Sequence, residues 1–170
     1  MEYLIFLRIV HIVSAVVWAG GVIYLALFIM PAVRALGPDG GKFMQQLSRT
    51  NSMPAIMTLA GTLTVLGGIL LIERLSNGFQ AFWFGTAHGI VISIGATFAI
   101  IAYLIGILVN RPTVGKIATI GKAAADKGAP PSAEQMEELQ KLRTKLFSAI
   151  NITAWLVLGA ALCMSMVRYF

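Results

Sequence analysis

The chain has one cysteine, two histidines and only seven acidic residues in 170 positions. A lone Cys163 excludes an intrachain disulfide, a CxxC pair, a cysteine-built zinc site and the CxxCH attachment of c-type haem. None of the seven acids falls inside a long apolar run, so a carboxylate proton relay within such a run has no basis. A nucleophile–base triad and a phosphate-binding loop are equally missing. Charge is scarce altogether: 12% of residues are charged against 58% hydrophobic. A chain of this length cannot hide so much apolar surface inside itself, so lipid must act as its solvent. The net charge of +6 sits mostly between apolar runs. The expected partner is therefore a lipid bilayer with an anionic surface, and not a nucleic acid.

Four apolar stretches reach the roughly 20 residues that a bilayer crossing needs. They cover about 4–31, 54–72, 82–109 and 147–167. The fold class predicted is all-α, an integral membrane four-helix bundle forming a single transmembrane domain over 1–170. The first eight residues carry Glu2 in place of a basic leader, and the run that follows is longer than the core of a signal peptide, so it is expected to stay as the first helix. A turn is expected at Gly37–Gly41 and a short amphipathic helix over Lys42–Arg49. The connection about 110–146 shows Val114, Ile117 and Ile120 at helical spacing before Lys127-Gly128-Ala129-Pro130-Pro131 breaks the chain. Ser132 then stands three residues before Gln135, the spacing of a capping box. Helices three and four are thus expected to extend beyond the membrane as a hairpin.

Ten of the thirteen lysines and arginines lie in the first and third connections, leaving Arg8, Arg74 and Arg168 for the opposite side. The excess of cations on cytoplasmic loops then predicts an inner-membrane protein of a bacterial type, with the hairpin in the cytoplasm and both termini outside.

His11 and His88 both fall in apolar runs, where an ionisable side chain is costly and marks a candidate functional site. Each stands 23 residues before the first cation at the inner end, Arg34 and Arg111 respectively. Helices one and three run in the same direction, so equal counts predict equal depth, about 35 Å from the inner boundary at 1.5 Å per residue. Two imidazoles at one level on parallel helices suit the two axial positions of one haem b. Gly85, Gly89, Ser93 and Gly95 on helix three, with Gly61, Gly67 and Gly68 on helix two, supply room for a cofactor wider than the usual gap between helices. Arg8, one turn before His11, is positioned to pair with a propionate. Trp18, two turns after His11, is a cofactor contact or a core residue. Another metal, or a structural or proton-handling role for the histidines, is also open. Cys163, Met164 and Met166 offer soft sulfur that with imidazole suits Cu(I).

The run His11-Ile-Val-Ser-Ala-Val-Val-Trp18-Ala-Gly20-Gly21-Val-Ile-Tyr24, onward to Pro31, resembles the opening helix of the copper resistance protein D (CopD) family and of the related HemJ-type protoporphyrinogen oxidases. The resemblance covers about the first 35 residues closely and the four-span layout loosely. It implies a haem- or copper-associated membrane protein with His11 as the metal-binding candidate. HemJ-type proteins are expected to carry a lysine in helix three; this chain has none there and has His88 instead. The leading expectation is therefore a membrane b-type cytochrome that passes single electrons to or from a quinone or a partner redox subunit, its haem bound by His11 and His88. Copper handling, a HemJ-type oxidase and a structural subunit of a membrane complex are the alternatives.

Overall fold

Proline normally ends a helix, because its ring clashes with the carbonyl four residues back and it has no N–H to donate. Pro31 and Pro112 do not end theirs. In the computed structural model, which describes residues 2–50, 52–126 and 128–169, each proline follows a single widened π-turn, Leu25–Ile29 and Gly106–Asn110. The N–H groups of Met30 and Arg111 reach back to the carbonyls of Leu25 and Gly106. The wider turn gives the ring space, and the helix carries on.

Helix α1 accordingly runs Glu2–Ala35 without a break. Gly37, at φ +56°, turns the chain, and Pro38 opens α2, Pro38–Thr50. The expected turn over Gly37–Gly41 is shorter than its composition suggested, and Gly40 and Gly41 belong to the helix. Gly40 is needed there because a Cβ would collide with the Val33 carbonyl of α1. Helix α3, Met53–Leu75, starts with Pro54 in its first turn, where a missing N–H costs nothing.

The third apolar run is interrupted near its start. A short turn α4, Ala81–Phe84, is followed by Gly85 and Thr86, and α5 begins only at Ala87. The Thr86 hydroxyl accepts from the Gly89 N–H at 3.0 Å, an N-cap within the apolar run. From there α5 continues through its π-turn over Ala87–Asp126, 40 residues. Helix α6, Ala133–Tyr169, closes the chain. Its start is a complete capping box: Ser132 Oγ accepts from the Gln135 N–H at 3.3 Å, and Gln135 Oε1 accepts from the Ser132 N–H at 2.9 Å. Between α5 and α6, Gly128 takes φ +61°, whereas Lys127 of the expected chain break lies outside the described residues.

The fold is all-helical, and four of its helices are long and apolar enough to cross a membrane. Helix α1 packs along α3, α5 along α6, α1 along α6, and α3 more lightly along α5. The order around the bundle is therefore α1, α3, α5, α6, with α1 and α5 on a diagonal. The core between them holds Trp18, Val22, Ala26, Ala60, Ala102 and Val157. At most 33% of any apolar stretch is buried. Val16, Leu108 and Trp155 are each more than two thirds exposed on the outside. A surface of that kind is stable only in lipid, so the protein is an integral membrane protein.

A candidate ligand recess at the terminal end of the bundle

His11 does not point across the bundle alone; its ring is held against α3. Nδ1 lies 2.8 Å from the Thr64 carbonyl oxygen. A carbonyl only accepts, so Nδ1 carries the hydrogen in this contact. Gly67 and Gly68 make this approach possible, since a Cβ at Gly68 would stand 3.1 Å from His11 Cε1. One turn further in, Ser14 Oγ donates to the Val10 carbonyl at 2.6 Å and stands 3.0 Å from Thr64 Oγ1. The result is a small buried polar seam between α1 and α3.

Trp18 follows on the same face and is 5% exposed. Its indole meets the Tyr103 ring of α5 edge to face, with centroids 6.3 Å apart. Both rings pack on Gly61, where a Cβ would come within 3.2 Å of each. The Tyr103 hydroxyl hydrogen-bonds Thr62 Oγ1 at 2.8 Å. Trp18 is thus a core residue that ties the two diagonal helices together.

This contact also sets the relative depth of the histidines. His11 precedes Trp18 by seven residues, while His88 precedes Tyr103 by fifteen. On parallel helices the difference of eight residues puts His88 about 12 Å nearer the terminal end. The contacts of α3 agree: His11 packs beside Gly67 and Gly68, whereas Leu75, two turns on, borders the same space as His88. The equal depth expected from the cation counts does not hold. Arg34 and Arg111 are not at one level, because α5 carries its first inner cation eight residues sooner after the Trp18–Tyr103 contact than α1 does. The two histidines therefore belong to different places in the bundle.

His88 is the second residue of α5 and is exposed. It borders a recess of about 510 Å³ at the end of the bundle where α1 begins and α6 ends. Arg8 of α1 and Arg168 of α6 line it with His88, and Met164 lies on the α6 side. Trp83, Ile92 and Val167 supply apolar wall. Arg8 thus reaches the space beside His88, not a site beside His11. Among the described residues neither Arg8 nor Arg168 has an ion pair; the acid and base paired at this end are Glu73 and Arg74, 3.3 Å apart. The recess presents two guanidinium groups without an ion pair among the described residues, one imidazole and one thioether on an apolar bed.

The remaining residues singled out in the sequence fall outside it. Gly89 is buried, and a Cβ there would collide with the Trp83 carbonyl; its role is to let the Trp83–Gly85 turn fold over α5 and bring Trp83 to the recess. Cys163 packs on Gly95, where a Cβ would meet Cys163 Cβ at 2.9 Å, and Met166 is exposed. Among the described residues no three of His, Cys, Asp and Glu gather as a metal cluster. Sequence reasoning missed Arg168 and Trp83. The signal for Arg168 was present, since α6 runs antiparallel to α5 and ends where α5 begins. Nothing in the sequence pointed to Trp83, whose position depends on the break at Gly85. No family model, curated protein or solved structure matches this chain.

Proposed function

We propose that the protein is a membrane b-type cytochrome whose haem occupies the recess at the terminal end, with His88 as the axial ligand. The observation that carries this reading is the convergence of His88, Met164, Arg8 and Arg168 on one apolar space. A flat, apolar, metal-bearing dianion would match these groups: His88 and Met164 would offer it an imidazole and a thioether as ligands, and Arg8 and Arg168 would pair with its propionates. With no CxxCH the haem is held without covalent attachment. A haem held by two protein ligands would supply single-electron exchange and would not readily activate oxygen, which favours electron transfer to or from a quinone or a partner redox subunit. His11 is left out of the ligand set and serves the α1–α3 interface. The uneven distribution of cations supports an arrangement with the recess outside and the hairpin in the cytoplasm of a bacterial cell.

The test is the visible spectrum of the purified protein produced with ample haem. A low-spin haem spectrum that survives His11→Ala and disappears in His88→Ala is the expected result. Protein that binds no haem, or that keeps its spectrum in His88→Ala, overturns the reading. One observation favours a second reading: His88 and Met164 both line the recess, and imidazole with thioether suits Cu(I). Copper bound in place of haem and lost in Met164→Leu supports it.

A further inference from the structure

We propose that the opposite end of the bundle carries a headgroup site for an anionic phospholipid, formed by Arg34 of α1 and Arg143 of α6. The Arg34 guanidinium carbon lies 4.9 Å from the centroid of the Phe147 ring. Arg143 is four residues before Phe147 and therefore on the same face of α6, one turn away. Arg34 and Arg143 thus both lie at the stretch of α6 around Phe147, one by its stacking and the other by its place one turn earlier. Arg143 is half-buried, and its guanidinium packs against Gly41, where any Cβ would collide with it. The first turn of α2 thus holds one arm of the pair in place, and stacking on Phe147 holds the other.

Neither arginine has a carboxylate partner among the described residues. The ion pairs on this side are Lys42 with Asp39 at 2.8 Å and Lys141 with Glu137 at 2.6 Å. Asp39, two residues from Gly41, is engaged by Lys42, whose hydrogen bond and charge hold its carboxyl below the usual range. Two guanidinium groups in one region of the bundle end, each held by a neighbour and neither paired with a carboxylate among the described residues, suit phosphate oxygens.

The position selects a lipid phosphate over a free one. Arg34 follows directly on the lipid-facing surface of α1, and Phe147 lies where α6 passes from its charged part to its apolar part. Leu36 and Phe43, on either side of the turn into α2, are exposed by 53% and 44%. Exposed apolar side chains at this end of the bundle offer a bed for acyl chains beside the phosphate.

The experiment uses the full-length protein in detergent, titrated with phosphatidylglycerol, phosphatidylcholine or inorganic phosphate and read by native mass spectrometry and thermal shift. Phosphatidylglycerol is expected to remain bound and raise the melting temperature, with phosphatidylcholine and inorganic phosphate doing neither. Arg34→Gln and Arg143→Gln should each weaken that binding by about fivefold, the factor expected for one basic group at an anionic membrane surface. Lys141→Gln, a loss of the same charge from the same helix, should leave it unchanged. Arg34 is exposed, so its variant is expected to fold even if Arg143→Gln does not. An equal loss in Lys141→Gln, equal binding of phosphatidylcholine, or binding of inorganic phosphate alone overturns the proposal.

Discussion

Trp18 and Tyr103 meet at an interplanar angle of 80° across the diagonal of the bundle. Being on parallel helices, they act as a depth marker for everything else on α1 and α5. His11 lies two turns out from that marker and His88 four, which separates a buried polar seam from an end recess.

Because of that separation, the two histidines should behave differently on replacement. His11→Ala removes the hydrogen bond to the Thr64 carbonyl and leaves a small void between α1 and α3. A loss of stability of about 1–3 kcal/mol is expected, with bound haem unchanged. His88→Ala should abolish haem binding with little effect on folding, since its side chain is exposed. Thermal unfolding and the Soret band of each variant check the pair; loss of haem in both would restore the bis-histidine arrangement.

The parts of the fold that follow from periodicity and composition were legible in the sequence: four spans, the capping box at Ser132 and an unbroken α6. Pro31 and Pro112 were harder, because a proline ends a helix or is absorbed by a π-turn according to the packing around it. The depth of the histidines failed for a similar reason. Counting from Arg34 and Arg111 assumes that the first cation marks a common boundary, yet α5 carries its π-turn and first arginine nearer the middle of the bundle than α1 does. A contact between two named side chains was needed to correct it. The recess itself depended on the break at Gly85 and Thr86, where a threonine cap starts a helix inside an apolar run.

Arg8 and Arg168 are assigned to the propionates and not to the iron. Arg168→Gln should retain the spectrum of the wild type while weakening haem affinity by about tenfold or more, as expected for one charge-assisted hydrogen bond. Arg8→Gln should do the same. Haem titration of the apoprotein measures both; a changed spin state in either variant would mean that the arginine acts on the iron's surroundings and not on the propionates.

Topology is testable with single cysteines in a Cys163→Ser background. Gln80 and Ala125 are both exposed and lie at opposite ends of the bundle. An impermeant thiol reagent added to intact cells should label Gln80→Cys and spare Ala125→Cys. The reverse pattern would put the recess in the cytoplasm.

Gly61 is the point where α3 admits both aromatic rings. Leucine there should drive Trp18 and Tyr103 apart and destabilise the bundle by about 1–3 kcal/mol or more, the usual cost of overpacking. Gly20, whose added Cβ would meet nothing within 4 Å, is the control, and Gly20→Ala should be near neutral. Melting temperatures in one detergent compare them; a tolerated Gly61→Leu would remove the basis for the depth marker.

Met164 decides what kind of haem site the recess is. It borders the same space as His88, on the helix packed against α5, and among the described residues it is the sulfur-bearing side chain that lines the recess. If both residues held a haem, a thioether donor would raise its reduction potential relative to a bis-imidazole site, because it stabilises the reduced iron. Met164→Leu keeps the apolar volume and removes the donor. The variant should therefore hold haem through His88, lose the six-coordinate low-spin spectrum, and show a lower midpoint potential in a redox titration. An unchanged spectrum and potential would show that Met164 only lines the wall, and that the sixth position is filled by another group or left open.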